Sequence, residues 1–276
     1  MKHKSKKKRS AGRIILSAVI VICCIGFVFS GWKFFSLFLA DRRAEGVYNE
    51  LRTAAQEQTA KKLTAESAPT EETQEGTEEE SISEDRPFSV DILGLQSRYP
   101  ELEAWLQAEG TGIDYPVMHT KDNDFYLSHL YDGTENYNGS LFADYRNTGV
   151  LTDDNTVIYG HNMKNGGMFN PLNEYKSQEF YDTHPTMTVC TAEGDFEIEL
   201  ICGTIEDGNF EFVRFDFEDF SDMQSYVSQI RARSTFISSV ELQPGDRLVS
   251  LCTCTYENLN ARYMLIGRVS GISDSE

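Results

Sequence analysis

From Ile14 to Trp32 the chain reads IILSAVIVICCIGFVFSGW without a charge, and a second apolar run, FFSLFLA, follows Lys33. A bilayer core takes about 20 apolar residues of helix, whereas the apolar heart of a cleavable signal is ~7–15 residues long. The length favours a membrane-spanning helix over residues 14–40, with a cleaved signal as the alternative. Residues 1–13 carry Lys2, Lys4, Lys6, Lys7, Lys8, Arg9 and Arg13 and no acid. A basic flank of this kind stays cytoplasmic, so a single-pass protein is expected whose remaining chain lies outside the membrane. Cys23 and Cys24 fall inside the span and read as apolar filler.

Charge is unevenly spread along the chain. Residues 1–85 hold thirteen basic and thirteen acidic residues, so the whole formal net charge of −19 belongs to residues 86–276. A domain that acidic repels nucleic acid, and no nucleic-acid partner is expected. DRRAEGVYNELRTAAQEQTAKKL, from Asp41, is rich in helix formers. TAESAPTEETQEGTEEESISEDRP then loses nearly every large apolar residue. Residues 41–86 therefore read as a helix followed by an acidic, disordered stalk, and residues 87–276 as the globular domain.

Within that domain, FSVDILGLQSRYPELEAWLQAEG reads as a helical opening closed by Gly110 and Gly112. Seven short segments then have strand character: DYPVMH, GSLFAD, NTVIYGH, TMTVCTA, DFEIELICGTI, DRLVSLCTC and RYMLIGRVS. One helix, EDFSDMQSYVSQIRARS, interrupts them late. Short strands with helices set apart predict a mainly β barrel with helical additions.

The chemistry concentrates near the C-terminus. In RLVSLCTC a period of two puts Cys252 and Cys254 on one face, Cys252 deeper and Cys254 at the strand's end, where scaffolds present reactive groups. A thiol is mostly protonated at neutral pH and needs activation. His161, at the end of NTVIYGH and before a Gly-rich loop, is one candidate among His119, His129 and His184. If the last two strands form an antiparallel hairpin, Arg262 lies beside Cys254 and can steady a thiolate or an oxyanion. No Cys or His pair has convincing metal-ligand spacing, and no metal or cofactor is expected. An exported domain permits disulfides, but the spacing of Cys190 and Cys202 prescribes none, and their redox state stays open.

These segments resemble the sortases, membrane-anchored cysteine transpeptidases of Gram-positive bacteria, and class B among them. The signature Thr-Leu-x-Thr-Cys is matched by Ser250-Leu251-Cys252-Thr253-Cys254, with serine first. YGHNM with MFNPLNEY looks like the histidine segment, and WLQAEGTGIDYPV, DNDFYL and GSLFADYRN resemble further landmarks. The resemblance implies an eight-stranded sortase-type barrel with N-terminal helices and a helix inserted before the catalytic-cysteine strand. It implies His161, Cys254 and Arg262 as the catalytic set. Asn123, Leu127, Phe212, Val213 and Cys252 would contact a sorting peptide, broadly Asn/Ser/Pro-Pro-x-Thr-Gly/Asn. The implied partners are secreted proteins bearing sorting signals and an amino group of the peptidoglycan precursor lipid II. Thr255 and Tyr256 stand where some relatives carry acids, so no carboxylate follows the cysteine. The competing expectations are a tethered cysteine hydrolase with water as acceptor, and a non-catalytic wall-facing binding module.

Overall fold

A computed structural model describes the backbone of residues 6–66, 89–208, 213–255 and 260–270. The first helix, α1 (Lys6–Glu66), contains a stretch, Ile15–Gln56, long and apolar enough to cross a membrane. The chain divides into two compact units, Met1–Gly46 and Val47–Glu276. In the first, large apolar side chains such as Ile22, Phe27 and Phe34 are exposed, the pattern of a helix whose solvent is lipid rather than water.

The second unit is a closed barrel of eight strands: β1 (Leu102–Ala108), β2 (Ile113–His119), β3 (Leu141–Ala143), β4 (Asn155–Tyr159), β5 (Thr186–Thr191), β6 (Asp195–Asp207), β7 (Arg247–Cys254) and β8 (Ala261–Val269). Neighbours run in the order β1-β2-β3-β4-β7-β8-β6-β5, with β2–β3 and β4–β7 parallel and the other pairs antiparallel. Closure removes the unpaired edges that an open sheet of this size exposes. Short helices α2 (Ile92–Gln96) and α3 (Gln178–Thr183) and 3-10 turns at Phe125–Leu127 and Asn170–Lys176 fill the connections.

All seven predicted strand segments form strands. The predicted helical opening does not hold: only Ile92–Gln96 is helical, and the stretch containing ELEAWLQA forms β1. Its residues favour helix locally, but β1 is paired on both sides, by β2 and β5, and Trp105 is buried with its indole N–H on Asp114 Oδ1 at 2.7 Å. Tertiary pairing outweighs propensity differences of a few tenths of a kcal/mol per residue.

The late helix is α4 (Phe220–Arg231). Asp219 caps it by accepting the Asp222 N–H at 2.9 Å, and Arg231 in its last turn complements the helix dipole. Met223, Tyr226, Val227 and Ile230 form its buried stripe against Cys202, Leu248, Cys252, Met264 and Ile266 of the barrel.

The helical segment expected to begin the stalk belongs to the second compact unit from Val47 onward. Tyr48 and Leu51 are buried, and the Tyr48 hydroxyl reaches Gly139 O at 2.8 Å and Ser140 Oγ at 2.9 Å. Arg52 donates to the Asp114 carbonyl at 2.8 Å and lies over the Tyr115 ring.

Candidate active site

Cys254 ends β7 and pairs in register with Arg262 of β8. Directly opposed residues on neighbouring strands share a face, with Cβ atoms about 4.5–5.5 Å apart. One pleat deeper, Cys252 opposes Met264, and both are buried under α4. The thiol of Cys254 and the guanidinium of Arg262 therefore continue that face one step beyond the apolar cluster, where both residues are half-buried. Burial drives the Cys252 thiol well above the ordinary thiol range, Asp144 adds to the rise, and Arg262 only partly offsets it. Cys252 is a protonated core residue. Cys202, pushed up to about 12 by burial, and Cys190, also raised by burial, are inert on the same grounds. All six cysteines are free thiols.

His161 lies just past β4, whose parallel register with β7 ends at Tyr159 opposite Cys252. Three bonds carry the association onward: Gly160 N to Cys252 O at 3.1 Å, Thr253 Oγ1 to Gly160 O at 2.8 Å, and Asn162 Nδ2 to Cys254 O at 2.8 Å. The residues on both sides of His161 are thus bonded to the end of β7. His161 Nε2 lies 2.7 Å from the carbonyl oxygen of Leu127. A carbonyl only accepts, so Nε2 carries the proton and Nδ1 is the nitrogen left to act. Gly139 makes this contact possible: its φ is +61°, and a Cβ there would sit 2.4 Å from Tyr126 O and 3.2 Å from the His161 ring.

The other expected site residues differ in their surroundings. The Leu127 side chain is exposed. Asn123 is engaged internally, donating to Asp144 Oδ2 at 3.1 Å and accepting the Tyr145 N–H at 3.0 Å. Val213 is buried in the α4 cluster beside Cys252, and Phe212 lies outside the described residues. His119 is tied to Glu103, while His129 and His184 bond the Phe125 and Phe180 carbonyls, so none of the three joins Cys254. Among the described residues no group of three or more His, Cys, Asp or Glu is placed to hold a metal ion.

Sequence reasoning missed Asp144. This fully buried carboxylate accepts two bonds from the Arg146 guanidinium, at 2.9 and 2.7 Å, one from the Arg146 backbone N–H at 3.0 Å, one from the Tyr159 hydroxyl at 2.8 Å and one from Asn123. Burial pushes its pKa up, but these donors, the Arg146 guanidinium foremost, pull further and leave it below the ordinary value. Arg146 also lies over the Phe215 ring at 4.5 Å. Asp144 thereby fastens the Asn123 loop, the end of β4 and the segment before α4 to one another. The available signal was the lone acid closing the strand segment GSLFAD.

The comparisons with known proteins agree on one family. Sortase B of Listeria monocytogenes is 30% identical over 231 residues, covering 84% of this chain and 86% of its own. The chain belongs to the class B sortases. Sortase B of Clostridium perfringens is 30% identical with a TM-score of 0.61, covering 65% of this chain and 99% of its own. The structure of a Staphylococcus aureus sortase B–substrate complex shares the fold with a TM-score of 0.70 at 22% identity, over 85% of this chain and 100% of that one. No family model matches the chain. As a class B sortase, the protein is a cysteine transpeptidase, and the expected eight-stranded sortase barrel with a helix before the cysteine strand is the fold observed.

Proposed function

We propose that this sortase joins secreted proteins to the cell wall, with Cys254 as nucleophile, His161 as general acid and Arg262 as oxyanion partner. The Cys254 thiolate attacks the carbonyl carbon of threonine in a C-terminal sorting signal. A carbon–sulfur bond forms, and the carbonyl electrons move to an oxyanion that Arg262 stabilises. The oxyanion collapses, the threonine carbon–nitrogen bond breaks, and the imidazolium of His161 gives its Nδ1 proton to the departing amine. An amino group of a peptidoglycan precursor such as lipid II then attacks the thioester. Cys254 leaves as thiolate, the amine proton returns to His161, and the product is an amide.

The observation that carries this reading is the register pairing of Cys254 with Arg262, with His161 held alongside by its neighbours' bonds to β7. The bond from His161 Nε2 to the Leu127 carbonyl supports the imidazolium and leaves Nδ1 as the proton donor. Leu127 and Phe212 would contact the sorting peptide, while Asn123, Val213 and Cys252 would shape its path from beneath without touching it. Residues 1–13 would be cytoplasmic and 14–40 membrane-spanning, and the compact unit that begins at Val47 would face the wall.

The test uses the full chain in detergent, a peptide carrying a sorting pentapeptide, and a soluble amine. An amide adduct that depends on Cys254 is expected. Peptide cleavage with no adduct would make the protein a hydrolase. Absence of both cleavage and Cys254 labelling by a small thiol reagent would make it a binding module.

A further inference from the structure

Asn162 takes no part in the bond-making steps above. Its side-chain amide donates to the Cys254 carbonyl at 2.8 Å, and its own oxygen accepts from Asn170 Nδ2 at 2.6 Å. The second bond orients the first, because an amide has one acceptor oxygen and one donor nitrogen, and holding Oδ1 on Asn170 turns Nδ2 toward Cys254. On the other side of the same peptide unit, the Thr255 N–H donates to Ala261 O at 3.0 Å. One step further, Lys176 Nζ donates to Thr255 Oγ1 at 2.6 Å and to Asn173 Oδ1 at 2.8 Å.

Asn170, Asn173 and Lys176 all belong to the 3-10 turn at Asn170–Lys176, so one element holds both the residue after the histidine and the residue after the cysteine. The paired register of β4 with β7 ends two residues short of Cys254, and the Asn162 bond continues the link between those strands to the cysteine itself. The geometry points to Asn162 as a positioning residue, oriented by Asn170, that sets the angle at which the Cys254 thiol meets His161 and the scissile carbonyl. This inference rests on Cys254 being the nucleophile.

The test measures kcat and KM for amide formation by the full chain in detergent. Asn162→Ala is expected to lower kcat about 10–100-fold, the scale of a small misplacement of reacting groups, with KM nearly unchanged. Asn162→Asp keeps the shape. As a carboxylate it turns an acceptor toward the Cys254 carbonyl and is expected to be comparably slow at neutral pH. Its kcat relative to wild type recovers as pH falls toward the carboxyl range of about 4–5, where the protonated acid regains a donor. Loss of packing alone gives no such recovery. Asn170→Ala is expected to lower the same parameter by less. If Asn162→Ala does not fold, as judged by its melting curve, the pH ratio of the isosteric variant decides. Wild-type kcat in Asn162→Ala, or a pH-independent ratio in Asn162→Asp, overturns the inference. A wild-type chain that forms no amide instead overturns the assigned function, so the two failures are read from different proteins.

Discussion

Cys252 and Cys254 are two residues apart on one strand and chemically unlike. Burial holds the Cys252 thiol protonated among Tyr226, Met264 and the α4 stripe, whereas Cys254 stands at the strand's end opposite a cation. Cys254→Ala is expected to abolish acyl-enzyme formation, read by mass spectrometry of the peptide-treated protein. Cys252→Ala is expected to keep turnover and lose ~1 kcal/mol of stability through a small cavity. A folded Cys252→Ala protein as inactive as Cys254→Ala would reverse the assignment. Arg262 calls for a finer substitution, because a planar guanidinium gives two parallel hydrogen bonds where lysine offers one point charge. Arg262→Lys is therefore expected to lose much of what Arg262→Ala loses, on the order of 10²–10³ in rate, with little change in melting temperature. Near-normal turnover by the lysine variant would reduce the role to charge alone. The facing of Cys254 and Arg262 was legible because period-two alternation and position at a strand end can be read directly, whereas their roles rest on the resemblance. Asp144 was not, because its partners Asn123, Arg146 and Tyr159 meet only after three segments have folded together.

At the scale of elements, the strands that alternate or carry β-branched runs were legible, and β1 was not, because its pairing with both β2 and β5 is invisible in its own composition. The β1–β2 hairpin also joins a histidine to an acid. Glu103 of β1 accepts from His119 of β2 at 2.8 Å and also from the Val150 N–H at 2.9 Å. The hydrogen bond to Glu103 raises the His119 pKa, against the lowering effect of burial. A histidine whose folded pKa is raised contributes stability fully present below its unfolded pKa, about 6.5, and lost as pH rises through the higher folded value. The melting-temperature gap between wild type and His119→Gln is accordingly expected to be widest in mild acid and to narrow with rising pH. A gap that stays constant across that window would mean that the pair does not carry charge.

For the whole molecule, the informative boundary is the start of the catalytic unit. Composition places it near residue 87, where globular sequence begins, yet the compact unit starts at Val47. Tyr48 is the reason this matters for chemistry. Its hydroxyl bonds the Gly139 carbonyl and Ser140, its ring packs edge-on against Tyr115, and Gly139 sits beneath the Leu127 carbonyl that holds His161. That chain of contacts runs from the helical segment that begins the second compact unit to His161, the proposed general acid. A protein beginning at residue 41 should therefore keep full turnover of a sorting peptide in solution, while one beginning at residue 87 should melt lower and turn over more slowly. Losing a large buried aromatic typically costs 3–5 kcal/mol, and the truncation also exposes the Tyr115 and Tyr131 rings that Tyr48 covers. Tyr48→Phe in the longer protein separates the two effects, since it keeps the ring and removes only the hydroxyl's bonds to Gly139 and Ser140. Its stability loss should be about 1 kcal/mol, with the larger change in kcat. Equal melting temperatures and equal kcat for the two truncations would show that the helix from Val47 onward is not part of the catalytic unit.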